Sequence, residues 1–328
     1  MNAVIAPAGV YSLYGLSVRS DLPLPIQPSP PVGDADDAGV WTFRVAAPAG
    51  LREFNGPSVA EIRCAHGSVF AARYVAADGY WLHNPSTATF HIVPERRCVD
   101  VYRDGSADDR LIGLLLVGQV AVFLLHTFGC PTLHASAVVT DQAPIAFVGP
   151  PGRGKSTLAA TFLERGAALL SDDCLPLRRR DDAVYGGPSL PILKVWDDTA
   201  AHSLSISHEL PALLPAMNKR LLAVEGRYEF VETPTRLSAI YALERYQPLV
   251  GDAADVTITP ASARDSLAML LGQTAQGGLL RQTEIARLLP LYTHLVAQAP
   301  VRVLRYPAGF EYQDEVYARV LADLDARR

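Results

Sequence analysis

The stretch from Leu133 to Leu177, LHASAVVTDQAPIAFVGPPGRGKSTLAATFLERGAALLSDDCLPL, decides how the rest of the chain is read. Within it Gly149, Pro150, Pro151, Gly152, Arg153, Gly154, Lys155 and Ser156 fit the pattern G-x-x-x-x-G-K-[ST], and Thr157 follows. The pattern has meaning only between a strand and a helix. Both are present: Ile145 to Val148 is a short apolar run, and Ser156 to Arg165 pairs Leu158 with Phe162 and Ala159 with Leu163 at helical spacing. At this composition a chance match is expected about 0.002 times, before that context is required. Glycines let the backbone curl so that successive N–H groups face phosphate oxygens, and the helix N-terminus adds partial positive charge. Lys155 is the residue to reach the β and γ phosphates, and the Ser156 hydroxyl is the one to ligate Mg²⁺.

Working outward, Gly166 stands where a left-handed helix cap belongs, and Ala167 to Leu170 reads as the next strand. A right-handed crossover brings the end of that strand, Ser171-Asp172-Asp173, beside the phosphate loop. Adjacent carboxylates can divide two tasks, one binding the metal and one accepting a proton from an attacking hydroxyl. We assign Asp173 with Ser156 to the metal and Asp172 to the base, with the exchange of the two left open. On the other side, LHASAVV and APIAFV form a hairpin around Asp141-Gln142, so residues equidistant from that turn face one another. His134 then falls opposite Gly149, at the mouth of the loop, and Ser136 lies two residues along the same face. Lys194, Lys219, Arg220 and Arg227 follow downstream as candidate cations for the charge that develops on a transferring phosphoryl group.

The chain has 328 residues, 49% apolar and 19% charged, which is globular composition sufficient for about two domains. A net charge of −5 lacks the basic footprint of a nucleic-acid binder. Only three of the 29 basic residues are lysine, and they are the three named above. Cys64, Cys98, Cys130 and Cys174 contain no C-x-x-C pair, so neither a zinc ribbon nor a thioredoxin-type centre is expected. The N-terminus lacks the order of a secretory signal, which points to the cytoplasm. Leu111 to Leu125 is apolar but shorter than the ~18 to 20 residues of a membrane span, and it carries Gln119 and two glycines. It reads as a core helix without a membrane partner. Residues 1–110 read as antiparallel strands (WTFRV, SVFAARYV, GYWLHN, ATFHIV, CVDVYR), with Gln27 to Gly39 as a surface loop. Residues 111–328 read as an α/β domain: irregular from Ala183 to Glu232, a strand at Arg236 to Glu244, helices from Ala261 to Ala299, the strand VRVLRYP and a last helix from Asp314 to Ala326. A β-rich domain preceding a catalytic one is a candidate for holding an extended peptide along a sheet edge.

His134 in a strand, the short hairpin, Gly149 to Thr157, Glu164-Arg165-Gly166 and Asp172-Asp173 together resemble the catalytic domain of HPr serine kinase/phosphorylase. LHASAV, PSLPILKVW, VRVLRYP and YGLSVRSDLPLP look like the HPr-kinase-related proteins of lasso-peptide gene clusters. The resemblance implies a P-loop domain of HPr-kinase-like (PEP-carboxykinase-like) fold that uses ATP and Mg²⁺. It implies transfer of phosphate to a serine hydroxyl of a ribosomal peptide, so the expected partner is a peptide or small protein. The R-G-[LIV]-G signature does not follow the acid pair, and a β-rich half stands in place of the α/β regulatory domain. Three alternatives stay open: a true HPr serine kinase, a small-metabolite kinase, and a nucleotide-binding switch that transfers nothing. The oligomeric state is open as well.

Overall fold

A computed structural model describes residues 9–28, 39–51, 57–64, 67–105, 107–204, 206, 210–214, 218–248 and 254–327. The five strands read in the first third join three others in one eight-stranded sheet. Its spatial order is Gly9–Leu13, Leu16–Ser20, Trp41–Val45, Cys98–Arg103, Ala88–Val93, Gly79–Asn84, Val69–Ala76, Ala60–Arg63. The hairpins are antiparallel as expected, but Trp41–Val45 runs parallel to both of its neighbours. Parallel pairing needs a long crossing connection, and the chain from Ser20 to Trp41 supplies one. Most of the loop expected over Gln27 to Gly39 lies outside the described residues.

The apolar run forms the helix Asp109–Thr127, two α segments joined by a π turn at Leu116–Val120. Asp108 caps it by accepting from Arg110 N at 2.9 Å. Its 19 residues and mean hydropathy of 1.8 would suffice for a membrane span by length and composition, yet 67% of it is buried inside the protein. Its contacts run to the eight-stranded sheet and the turns beside it. Asn84 donates to Gln119 Oε1 at 3.0 Å, Tyr14 Oη donates to Val117 O at 3.0 Å, and Tyr80 meets Phe123 edge-on at 5.4 Å between centroids. These contacts correct the expected boundary at residue 110. The first compact unit is Met1–Phe128 together with Gln276–Ala286, and the second is Gly129–Ala275 with Arg287–Arg328. The returning segment is tied in by Arg73, which donates to Leu279 O at 3.0 Å and to Glu284 at 2.6 and 3.0 Å. The rings of Tyr80 and Phe123 flank its guanidinium at 5.1 and 4.8 Å.

The second unit is mixed α/β. Its six-stranded sheet runs Ala168–Ser171, Ala135–Val139, Pro144–Val148, Ala239–Tyr246, Val301–Pro307, Thr257–Pro260. The hairpin has the register that a turn at Asp141-Gln142 dictates, with Ala135 opposite Val148. Pro144–Val148 then pairs parallel with Ala239–Tyr246, and that strand parallel with Val301–Pro307. Helix Lys155–Leu163 packs Phe162 against Phe147 on the sheet and against Tyr317 of the last helix, Gln313–Asp325. It ends at Gly166, φ 89°, where Ala167 N returns to Phe162 O at 3.1 Å. The region read as irregular holds three short strands: Ala183–Gly186, and the hairpin Ile192–Trp196 with Lys219–Ala223. Pro188 and Pro191 come immediately before the five extended residues Ile192–Trp196, a run too short and too closely punctuated for a period to be visible in the sequence.

Candidate active site

Gly149, Gly152 and Gly154 turn the chain between strand and helix at φ 150°, 79° and 96°. At Gly154 a side chain is barred twice, by the left-handed backbone and by Tyr306, whose hydroxyl would lie 2.5 Å from a Cβ. That hydroxyl instead donates to Arg153 O, fixing the tip from the strand Val301–Pro307. Pro150, Pro151, Gly152 and Arg153 are exposed, and Lys155 is buried. Its ammonium donates to Gly149 O at 2.7 Å and more weakly to Pro150 O at 3.4 Å, so it stays inside the loop it belongs to. Burial pushes the Lys155 pKa down, and the charges of Asp173 and Asp172 work against that. Thr157 turns away and shares a hydrogen bond with Thr199 at 3.0 Å.

The strand Ala168–Ser171 runs the same way as Pro144–Val148, with Ala135–Val139 between them and antiparallel to both. Its end carries the acid pair to the loop. Asp172 Oδ1 accepts from Ser156 Oγ at 2.9 Å and from Ser136 Oγ at 2.6 Å, and Oδ2 accepts from Lys194 N at 2.9 Å. Its own N–H donates to Ser189 Oγ at 3.0 Å. Burial, then the charge of Asp173, push its pKa up.

Asp173 differs in every respect. It sits at φ 66°, a left-handed conformation that Asp tolerates better than most residues. The turn swings its carboxylate away from Ser156 and onto Lys194 Nζ at 2.8 Å, with His134 Nε2 at 3.7 Å from the other oxygen. Burial would raise its pKa, but Lys194 and His134 outweigh that and hold it well below the usual carboxylate range. Asp173 in turn outweighs burial at Lys194 and raises its pKa, so the ammonium stays charged. Of the two carboxylates it is Asp172, and not the Asp173 expected beside it, that meets Ser156, while the left-handed turn at Asp173 aims the second carboxylate at Lys194.

The remaining candidates divide. His134 and Ser136 both reach the acid pair, and His134 N also donates to Gln273 O at 2.7 Å. In the hairpin Ile192–Trp196/Lys219–Ala223, Trp196 pairs with Lys219 and Val195 with Arg220. Alternation puts Lys219 on the face of Lys194, where its ammonium lies 5.0 Å from the Trp196 ring centroid and its charge is felt by Lys155. Arg220 is on the other face, in an ion pair with Asp197. Arg227 lies at the far end of the loop helix, over Tyr228 and 3.9 Å from Glu164. Each arginine is thus held by a carboxylate, Asp197 or Glu164, and the bonds described for them do not run to the loop. Sequence reasoning missed Ser189, which orients Asp172 from a proline-flanked turn, and Tyr306. The signal for Tyr306 is its place near the close of VRVLRYP, one residue from a strand end.

Ser156 and Asp172 offer adjacent hard oxygen donors at a carboxylate short of positive charge. That suits magnesium, which is held through one or two carboxylates with substrate phosphates and water completing the shell. Among the described residues no three His, Cys, Asp or Glu side chains converge into a metal cage, and all four cysteines are free thiols.

No protein-family model and no curated protein matches the chain. Among solved structures the chain is similar to the Hpr(Ser) kinase/phosphatase from Coxiella burnetii, over 60% of this chain and 99% of that one, at 12% identity and a TM-score of 0.32. A likeness at that level fixes no activity.

Proposed function

We propose that the second unit is a kinase that transfers the terminal phosphoryl group of ATP to an alcohol. The observation that carries this reading is the split environment of the acid pair: Asp172 is tied to the loop hydroxyl Ser156, and Asp173 is held ionised and turned outward. A simple nucleotide binder needs the first and has no use for the second. In this reading the loop amides and Lys155 bind the phosphates, and Ser156 and Asp172 hold Mg²⁺, which when bound offsets charge on the phosphate oxygens. Asp173 orients the acceptor hydroxyl and takes its proton through the oxygen that faces His134. The bond from acceptor oxygen to phosphorus forms as the bridging P–O bond breaks, and the nucleoside diphosphate leaves. A carboxylate held this acidic is a weak base, but the loose transition state of phosphoryl transfer needs a proton acceptor only late. Lys194 fixes Asp173, and Lys219 is the nearer candidate for neutralising the moving group. The finer reading, which rests on the resemblance of LHASAV, PSLPILKVW and VRVLRYP, takes a serine of a lasso-type precursor peptide as acceptor.

The test is phosphotransfer to a serine peptide, read by mass spectrometry beside nucleotide titration. Asp173→Asn should keep Mg·ATP binding within about threefold and lose ~10² to 10⁴ in transfer rate. Full transfer by that variant removes Asp173 as acceptor. A wild-type protein that binds ATP and phosphorylates no hydroxyl is a nucleotide switch.

A further inference from the structure

On the side of the phosphate loop away from the acid pair lies a cleft of about 660 Å³, within the range of small-molecule sites. We propose that it holds the base and ribose of the nucleoside triphosphate; this rests on the phosphate-loop reading above. The sheet order gives the direction. From the loop strand Pro144–Val148, the acid pair lies two strands over on one side, and Ala239–Tyr246 is the neighbour on the other. A polyphosphate with its terminal group at Asp172 and Asp173 therefore sends its opposite end toward Ala239–Tyr246. The cleft begins there, and the first loop residues, Gly149 and Pro150, form part of its wall.

The walls suit a flat, largely apolar group. The helix Ala263–Gly272 presents Ala268, Met269 and Gly272, with Gln273 just beyond its end, a spacing that keeps all four on one face. Methionine adapts to an aromatic ring and contacts it favourably. At the rim the Arg305 guanidinium lies 4.0 Å from the Tyr246 ring centroid, a stacked pair of the kind that nucleobases extend. Gly272 is an open point in that wall. Its φ is not positive, and a Cβ built there meets no heavy atom within 4 Å, so the fold itself does not require glycine. At this last residue of the helix the wall carries no side chain, which leaves room for a flat group to approach the backbone closely. The same wall reaches the acid pair through the bond from His134 N to Gln273 O.

The experiment compares ATP with inorganic tripolyphosphate, both as magnesium complexes, by calorimetry on the full chain. Wild type should bind ATP at least about tenfold more tightly than tripolyphosphate. Gly272→Phe, which fills the cleft from a position with room for a side chain, should weaken ATP at least about tenfold and leave tripolyphosphate within about twofold. Met269→Trp repeats the measurement from the same wall should Gly272→Phe fail to fold by circular dichroism. Unchanged ATP affinity in a folded cleft-filling variant overturns the proposal while the phosphate loop stands, and so does a wild type that binds both ligands equally. If wild type binds neither ligand, or Lys155→Ala alters neither affinity, the phosphate-loop reading fails and this one with it.

Discussion

Arg73 in the first unit and the Lys155, Asp172 and Asp173 group in the second are both charges withdrawn from water, and they are satisfied in different ways. Arg73 is 1% exposed and meets one carboxylate, one carbonyl and two aromatic faces. One carboxylate answers the one buried cation, and its remaining capacity is taken by the exposed Arg281. In the second unit two carboxylates face Lys155, Lys194 and His134, one carboxyl pKa is pushed up while its neighbour's is pushed down, and the lower one sits in a left-handed turn. A closed pair of the first kind is what tethering a distant segment requires. An uneven cluster with strained backbone is what a site that still has to accept phosphate and metal looks like.

The largest effect should come from breaking the open cluster. Lys155→Ala removes the buried ammonium at the loop and should cut ATP-dependent turnover by at least ~100-fold. Chemical unfolding monitored by fluorescence should show that the variant still folds, because Lys155 hydrogen-bonds only loop carbonyls among the described partners. Near-normal turnover would mean that the cluster is as structural as the Arg73 pair.

Breaking the closed pair should do the reverse. Glu284→Gln leaves Arg73 buried beside a neutral amide and should cost about 2 kcal/mol of stability, less than a fully buried pair because the Glu284 side chain is 20% exposed. Turnover per folded molecule should not change. The pH dependence follows from its pKa. Burial would raise it, but bonds to Arg73, together with Arg281, hold it down at about 2 against an ordinary 4.5. A depressed carboxyl stabilises the fold above its unfolded value and loses that contribution as pH falls toward about 2. Denaturant midpoints of wild type and variant should therefore differ at pH 7 and converge near pH 2. A constant gap across that range would show that the charge of Glu284 is not what ties the segment in.

The same contrast explains what can be read in the sequence. The phosphate loop, the hairpin register and the early strands are set by residues near one another, and each is legible in the order of the residues alone. The tether is not: Glu284 and Arg73 are 211 residues apart, and Gln282–Ala286 looks like any other short helix of the second domain. The pairing of Ser156 with Asp172 is hidden for a different reason. Two adjacent aspartates are equivalent as letters, and only the left-handed backbone at Asp173, whose carboxylate meets Lys194 on a strand that begins 19 residues later, separates them.

The smallest effect concerns the cations that the sequence brought forward and the fold did not bring together. Arg220 and Lys219 are neighbours in one strand, so alternation sends them to opposite faces, Arg220 to Asp197 and Lys219 to the side of Lys194. The Arg220 pair is solvated, and exposed pairs contribute little. Arg227 sits beside Glu164 at the end of the loop helix, a nine-residue helix's length of about 13 Å from Lys155. At that distance across solvent its charge is largely screened at physiological salt. Arg220→Ala and Arg227→Ala should each leave turnover within about twofold of wild type, whereas Lys219→Ala, on the face whose charge Lys155 feels, should lower it by more than either. Steady-state rates for the three variants at two salt concentrations check this. If Arg220→Ala proves the most damaging of the three, the acceptor approaches from the opposite face of the hairpin, and Lys194 and Asp173 lie behind the reacting group rather than beneath it.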